Sequence, residues 1–351
     1  MHRTGGEHLL STSYVPEHPV RKPDSLSILV LTREWGIVLL LGVLLIVFSI
    51  WAGPIFSTPT NFSLIIGASA LPAIYAAAIA MGVFSGALDL SVPGIAAICG
   101  IVMAKLINQG VNLWVAIIVA VLLGAVIGLV NGLIVLTGVN PLAVTIGMLS
   151  LTGGLAAIIS AGLPLFGLDK LAFIGTDKYA GIPGPVIVVF FVYLILTIFL
   201  TQTRGGTRYL AAGGNPEALR RVGVNSRLFQ VLGFIFSGLL AAIAGILTSA
   251  ITNQASPTAA VGQLFTGLTA VALSGISLAG GRGSLPKVWI GAIIISTISS
   301  ALVIMNVQPY VTQVVTGLLL IVALLGQLLL GNAVSRQLVS RKSVSAHKDV
   351  K

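Results

Sequence analysis

Five long stretches of this 351-residue chain contain no aspartate, glutamate, lysine or arginine: residues 35–88, 106–168, 179–203, 228–281 and 288–335. A helix needs about 20 mostly apolar residues to cross a bilayer, so the stretches hold about two, two, one, two and two spans. One more fits between Asp89 and Lys105, extended slightly past the lysine. Only 8% of the residues are charged and 56% are hydrophobic, whereas soluble domains carry about 25% charged residues. A soluble fold cannot hide that much apolar surface. The reading is an all-α polytopic membrane protein with about ten transmembrane helices, some of them kinked or interrupted.

The predicted spans are 36–56, 62–83, 90–108, 113–136, 141–162, 184–203, 229–251, 262–279, 287–306 and 310–331. The first is longer and deeper in the chain than a cleaved signal peptide's apolar region, and is read as a retained helix. Pro72 and Pro93 fall within spans, where proline kinks or interrupts a helix. Residues 86–94 read as an unwound link or re-entrant turn.

Basic residues set the orientation. With ten spans and the N-terminus inside, 16 of the 19 lysines and arginines fall on the cytoplasmic side, leaving Lys105, Lys170 and Lys178 outside. Short cytoplasmic loops carry such an excess. The organisation expected is a cytoplasmic N-terminal tail over 1–34, a transmembrane domain over 35–331 with a loop at 204–228, and a basic cytoplasmic tail over 332–351, both termini inside. The net charge of +10 then reflects topology and contact with anionic membrane lipid. A nucleic-acid partner is excluded by the scatter of basic residues over separate loops.

Two small-residue stripes, Gly124, Gly128 and Gly132, and Gly153, Ala157 and Ala161, have the spacing that lets helix backbones approach closely. All four tryptophans, Trp35, Trp51, Trp114 and Trp289, lie near predicted span ends, where amphipathic rings sit at headgroup level.

Catalytic chemistry has little to stand on. The one cysteine, Cys99, forms no internal disulfide. The four histidines, His2, His8, His18 and His347, lie in the polar tails, so no metal site is expected. Phosphate-loop, zinc-protease and nucleophile-elbow motifs are absent. No cofactor is implied, and the chain does not read as an enzyme. Asp89 sits at a membrane boundary beside a kink. An Asp ahead of a helix accepts backbone N–H bonds; a carboxylate near hydrocarbon also marks gating or passage sites. Both readings stand, and Ser91 shares the first. Asn131, Asn140, Thr145, Thr266 and Thr269 are polar candidates for a pathway lining, with interhelical hydrogen bonding as the alternative. Ion-coupled carriers bury several ionisable groups mid-membrane; this chain does not. Its driving force must come from a partner protein.

The loop at 204–228 holds the clearest local signal. Asn215 suits an N-cap, Pro216 the first helical position and Glu217 the positive helix end. Arg220 and Arg221 suit the negative end, and Gly223 a left-handed stop. A helix of about two turns is therefore expected after Gly213 and Gly214. A helix that short is marginal in water and needs a surface, either the lipid interface or a cytoplasmic protein.

This segment resembles the cytoplasmic coupling loop of ribose-type ABC transporter permeases. Two further stretches are similar to motifs of the same family: Ser85-Gly86-Ala87-Leu88-Asp89-Leu90-Ser91-Val92, and Ser274-Gly275-Ile276-Ser277-Leu278-Ala279-Gly280-Gly281-Arg282-Gly283. The resemblance runs from about residue 55 to 331 with the motifs in order. Pro93, Ala87 and Ser274 stand where relatives usually carry Gly, and the N-terminal tail is longer than typical.

The resemblance implies a binding-protein-dependent importer in the bacterial cell membrane. A second permease copy or a paralogue would complete the pathway. A cytoplasmic ABC ATPase subunit would use the ATP, and an extracytoplasmic solute-binding protein would deliver solute. Residues 213–224 would be the coupling helix, with Glu217, Arg220 and Arg221 touching the ATPase. The solute implied is a monosaccharide or polyol. A branched-chain amino acid or nucleoside permease is the nearest rival, and an ion-coupled secondary carrier a more distant one.

Overall fold

The computed structural model describes the backbone of residues 25–277, 280, 281 and 283–348, and their side chains except 25–34, 261, 309 and 330–348. The predicted tail up to Asp24, the side chains of the basic C-terminal tail, and Leu278, Ala279 and Arg282 of the last motif lie outside those residues.

Helices dominate the chain. In order they are α1 Ser25–Trp51, α2 Pro59–Phe84, α3 Val92–Asn108, α4 Leu113–Leu136, α5 Pro141–Ser160, the single turn α6 Ala172–Gly175, α7 Gly184–Gln202, α8 Arg204–Gly214, α9 Pro216–Arg221, α10 Ser226–Thr252, α11 Val261–Leu273, α12 Leu285–Ile304 and α13 Pro309–Lys348. Four two-residue strands, β1 Leu165–Phe166, β2 Lys178–Tyr179, β3 Ile182–Pro183 and β4 Gln254–Ala255, pair antiparallel as β1–β4 and β2–β3. Seven helices are long and apolar enough to cross a membrane. The other three predicted spans are occupied by the shorter apolar helices Trp35–Trp51, Val92–Asn108 and Gly262–Leu273.

Several boundaries differ from expectation. The first helix begins at Ser25, ahead of the predicted start, and α13 continues past residue 331 to Lys348. A helix rises about 1.5 Å per residue, so the 40 residues of α13 outrun a hydrocarbon core about 30 Å thick. Its last turns stand outside that core. Pro72 does not interrupt α2, which runs through it with the ring buried. Pro93 lies in the first turn of α3, where helical amides lack intrahelical partners anyway and proline costs nothing. The unwound link falls at residues 85–91, shorter than the expected 86–94, because Val92, Pro93 and Gly94 already form the first turn of α3.

Alternating crossings sort the connections into two ends. One carries the 85–91 link, α8, α9 and the turn at 274–284; it holds Arg204, Arg208, Arg220, Arg221, Arg227 and Lys287. The opposite end carries residues 161–183 and 253–260, with Lys105, Lys170 and Lys178. At that end Asn253 accepts from the Leu168 amide at 3.0 Å and donates to Asp169 at 2.7 Å. Asn108 donates to the Phe166 carbonyl at 3.1 Å. These bonds tie the loop after α5 across α3 and α10.

The core is built around α2 and α10, both largely buried, while α4, α5 and α7 leave broad apolar faces outward. The most extensive helix pair is α4 with α10, and the first small-residue stripe forms it. A Cβ on Gly128 would lie 2.2 Å from the Phe234 carbonyl oxygen, and one on Gly238 2.2 Å from that of Gly124. Without a hydrophobic drive between helices in lipid, such approach supplies the packing contacts instead. The second stripe is no seam within this chain. Gly153 has nothing within 4 Å of its missing side chain, and Ala161 takes a left-handed φ of 53° to end α5. Trp51 and Trp114 are exposed near helix ends and Trp35 is exposed within α1, whereas Trp289 turns inward to donate to Ser69 at 3.2 Å.

The α4–α10 seam makes a direct prediction. Gly128→Val places branched carbon against backbone that cannot yield, a cost of about 3 kcal/mol at the upper end of overpacking. The detergent-purified variant should melt at least 5 °C lower, while Gly154→Ala, on an open face, should melt with the parent. Equal melting of the two variants would remove the seam from the account.

Candidate functional site

The chain turns from α7 into α8 at Thr203. Its hydroxyl accepts from the Gly206 amide at 2.9 Å, and a Cβ on Gly206 would sit 2.0 Å from the Phe199 carbonyl oxygen. Glycine is what lets the two helices meet this closely. Every third residue of α8 then faces inward: Gly206, Tyr209 and Ala212 are buried. Tyr209 is fully buried and donates to the Met81 carbonyl at 2.5 Å. Its ring packs edge-on against Phe199 at 6.1 Å and Phe236 at 6.0 Å. Burial holds the phenol well above the usual tyrosine range, with the Ser85 hydroxyl pulling the other way. Tyr209 is therefore a neutral donor at physiological pH.

Asn215, at φ −154°, breaks the helix, and its side chain accepts from the Ala218 amide at 2.9 Å to start α9. Pro216 takes the first turn, Leu219 is buried, and Gly223 closes with φ 76°. Glu217 lies 3.7 Å from Arg220 and 3.9 Å from Arg221, all three side chains more than 60% exposed. Exposed pairs like these contribute about 0–1 kcal/mol, so the charged face of α9 is not held by its own ion pairs. The expected single helix after Gly214 is thus six residues long, preceded by an eleven-residue helix that the sequence reading missed. Four glycines in eleven residues argue against a helix on propensity. The signal available was Thr203 as a cap and the three-residue spacing of Gly206, Tyr209 and Ala212.

The α8–α9 corner rests on the 85–91 link. A Cβ on Gly213 would lie 2.1 Å from the Phe84 carbonyl oxygen and 2.8 Å from the Gly86 nitrogen. One on Gly280 would lie 2.8 Å from the Gly213 carbonyl oxygen and 3.0 Å from the Gly86 Cα, and one on Gly281 2.1 Å from the Gly214 Cα. Gly86, Gly280 and Gly281 have φ of 90°, 108° and 81°, a region that side chains disfavour. Three motifs far apart in sequence therefore meet backbone to backbone. A cavity of about 590 Å³ opens beside the junction, between Leu210, Asn215, Ala218, Val222 and Gly280.

Beyond the junction the link carries a buried polar cluster. Asp89 is fully buried, and its Oδ1 accepts from the Ser91 amide at 2.9 Å and the Ser91 hydroxyl at 2.5 Å. Asn131 on α4 donates to Ser91 Oγ at 2.9 Å. Ser237 on α10 stands beside the carboxylate, a member the sequence reading did not find. Asp89 Oδ2, Asn131 Oδ1 and Ser237 Oγ hold no hydrogen bond of acceptable geometry among the described residues. The cluster thus ties the link to α4, with Ser237 of α10 beside it and acceptor capacity left over. Asn140 is elsewhere: it caps α5, accepting from Leu142 at 2.9 Å. Thr145, Thr266 and Thr269 bond back to carbonyls of their own helices, at 3.3, 3.2 and 2.7 Å. Among the described residues no group of three His, Cys, Asp or Glu could hold a metal ion.

Residues 61–324 match the family described as branched-chain amino acid transport system / permease component. The chain is 32% identical over 295 residues to the L-arabinose transport system permease protein AraH of Escherichia coli, covering 83% of this chain and 89% of the relative. It is 33% identical over 297 residues to the ribose import permease protein RbsC of Bacillus subtilis, covering 84% and 92%. The D-allose transport system permease protein AlsC of Escherichia coli is 32% identical over 294 residues, covering 83% and 90%. No solved structure matches.

If the cluster acts as one network, its members are not independent. Asp89→Ala strands two donors of Ser91 and should cost about 2–3 kcal/mol, and Asn131→Ala about 1 kcal/mol. The double variant should fall short of the sum by at least 0.5 kcal/mol. Unfolding of the three proteins in detergent measures this, and strict additivity would break the network apart.

Proposed function

Because the chain belongs to this family of transport-system permease components, we propose that it is the membrane-spanning subunit of an ATP-driven, binding-protein-dependent importer for a small neutral solute, a monosaccharide or polyol. It is a multi-pass protein of the bacterial inner membrane. The arabinose, ribose and allose permeases named above support the solute class.

The observation that carries the mechanism is the seating of α8 and α9 on the Gly86 link at the basic end of the bundle. All ten apolar helices cross, the basic end and both termini are cytoplasmic, and ATP hydrolysis occurs on a separate subunit. That ATPase docks on the outward face of α9, where Glu217, Arg220 and Arg221 offer charge of both signs. Displacement of α9 moves α8, and Tyr209 and the Gly213–Gly214 pair carry that movement into residues 85–91. Asp89, Ser91 and Asn131 then exchange hydrogen-bond partners as the pathway opens to one side or the other. The unmatched acceptors of the cluster make such an exchange cheap, since no fully satisfied network must be broken.

A second permease copy or a paralogue supplies the other wall of the pathway. The cavity inside the bundle between Tyr75, Gly100, Thr248 and Ser249 is about 10 Å³, room for one water. The sugar's path in this reading runs along a face of the chain. The solute-binding protein docks at the opposite end, on the loop over residues 161–183 held by Asn253 and Asn108. The family's description as a branched-chain amino acid transport system component favours branched-chain amino acids as a second solute class. Uptake by the assembled importer separates the two: labelled monosaccharide should enter in an ATP-dependent way and leucine should not.

Sidedness is tested with single cysteines in a Cys99→Ala background. Lys178→Cys should react with an impermeant maleimide in intact spheroplasts, and Arg220→Cys only after permeabilisation. The opposite pattern would invert the topology. For coupling, Glu217→Lys and deletion of 214–222 should each lower solute-stimulated ATP hydrolysis and uptake at least tenfold with membrane insertion unchanged. Uptake at the parent rate would exclude α9 as the ATPase contact.

A further inference from the structure

A groove of about 470 Å³ runs between α7 and α12, on the outer surface of the bundle. Phe190, Tyr193, Leu194, Trp289, Ile290 and Ile293 line it, with Thr197 and Pro286 toward the basic end. The two aromatic rings at its floor lie 5.2 Å apart, tilted by 45°. Their polar atoms are spent inward on α2: the Tyr193 hydroxyl donates to the Ala73 carbonyl at 2.8 Å and the Trp289 indole to Ser69 at 3.2 Å. Ring faces and aliphatic carbon are what the groove presents. Apart from the single Thr197 hydroxyl near its basic end, it has nothing with which to hold a sugar's several hydroxyls, which buried without partners cost several kcal/mol.

Size selects among apolar occupants. Phe190 to Thr197 spans two helical turns, about 10 Å. Spread over that length, the volume gives a mean cross-section of about 50 Å², whereas a helix with its side chains is about 10–12 Å across, near 80 Å² or more. An acyl chain fits inside that section, whereas a second transmembrane helix could only lie across the groove's mouth. Charge selects the headgroup. Lys287 follows Pro286 directly at the basic end, and Arg204 lies beyond the end of α7 at the same end. Neither has a carboxylate within ion-pair distance among the described residues. The acidic groups described at that end are Asp89, buried in its cluster, and Glu217, between Arg220 and Arg221.

We propose that the α7–α12 groove is a binding site for an anionic phospholipid, one acyl chain lying against Trp289 and Tyr193 and the phosphate meeting Lys287 at the basic lip. The site is independent of the transported solute. Since α12 packs on α2 and α7 continues into α8, lipid seated there braces the helices that carry the 85–91 link and the α8–α9 corner.

Trp289 is the reporter. In the full-length chain carrying W35F, W51F and W114F, Trp289 remains the sole tryptophan. The purified protein is titrated in mixed micelles with brominated phosphatidylglycerol or brominated phosphatidylcholine. Half-quenching of Trp289 should need at least threefold less of the anionic lipid, Lys287→Gln should abolish that preference, and Leu194→Phe, which fills the groove, should weaken quenching by both. Elution as a single peak on size exclusion shows that each variant is folded. Equal quenching by the two lipids, or a preference that survives Lys287→Gln, overturns the proposal.

Discussion

Three segments lie against one another at Gly86, Gly213 and Gly280 only because none of them carries a Cβ there. The contact is backbone on backbone, so no side-chain rotation can absorb a displacement. A push on the α8–α9 corner has to move the link at 85–91 or tear the junction open. Packed interfaces of this sort are bistable rather than continuously deformable, a property suited to the proposed switch between two facings. The surrounding structure secures the contact: Tyr209 pins α8 to the end of α2, and the Asp89–Ser91 pair is pinned to α4 through Asn131.

The bilayer explains why such a device sits at one end of the bundle. Hydrocarbon offers no partner for a bare peptide group, so spanning segments are helical and irregular backbone survives only inside protein. The link at 85–91 meets that condition by turning its polar groups inward, to Ser91 and Asn131. The glycine seam between α4 and α10 supplies a frame that does not yield. Movement is left to the elements with few buried side chains, α8 and α9. The buried cluster has one ionisable group, Asp89, in keeping with the proposal that a partner supplies the energy.

Much of this was legible in the sequence, because hydropathy and charge act locally. Charge-free stretches placed nine of the ten apolar helices and the gap between Asp89 and Lys105 the tenth; the first part of the expected link at 86–94, the Asn215 cap and the Gly223 stop followed from turn and capping chemistry. The misses have physical causes. Helix α8 was hidden by glycines that serve close approach instead of flexibility. Pro72 was read as a break, yet α2 runs through it. The Gly153 stripe has the same spacing as the Gly124 stripe, but spacing does not say whether a neighbouring helix is there. Ser237 and Tyr209 carry no motif; they became visible only when α10 and α8 were placed beside the link.

Amide hydrogen exchange of the assembled importer tests the mechanical claim most directly. The measurement compares the nucleotide-free complex with the complex trapped with ATP and a catalytically dead ATPase. Peptides covering 205–222 and 82–91 should change protection together, with Tyr209→Phe weakening the response of 82–91 alone. A change confined to 205–222, with 82–91 identical in the two states, would contradict transmission through the glycine junction.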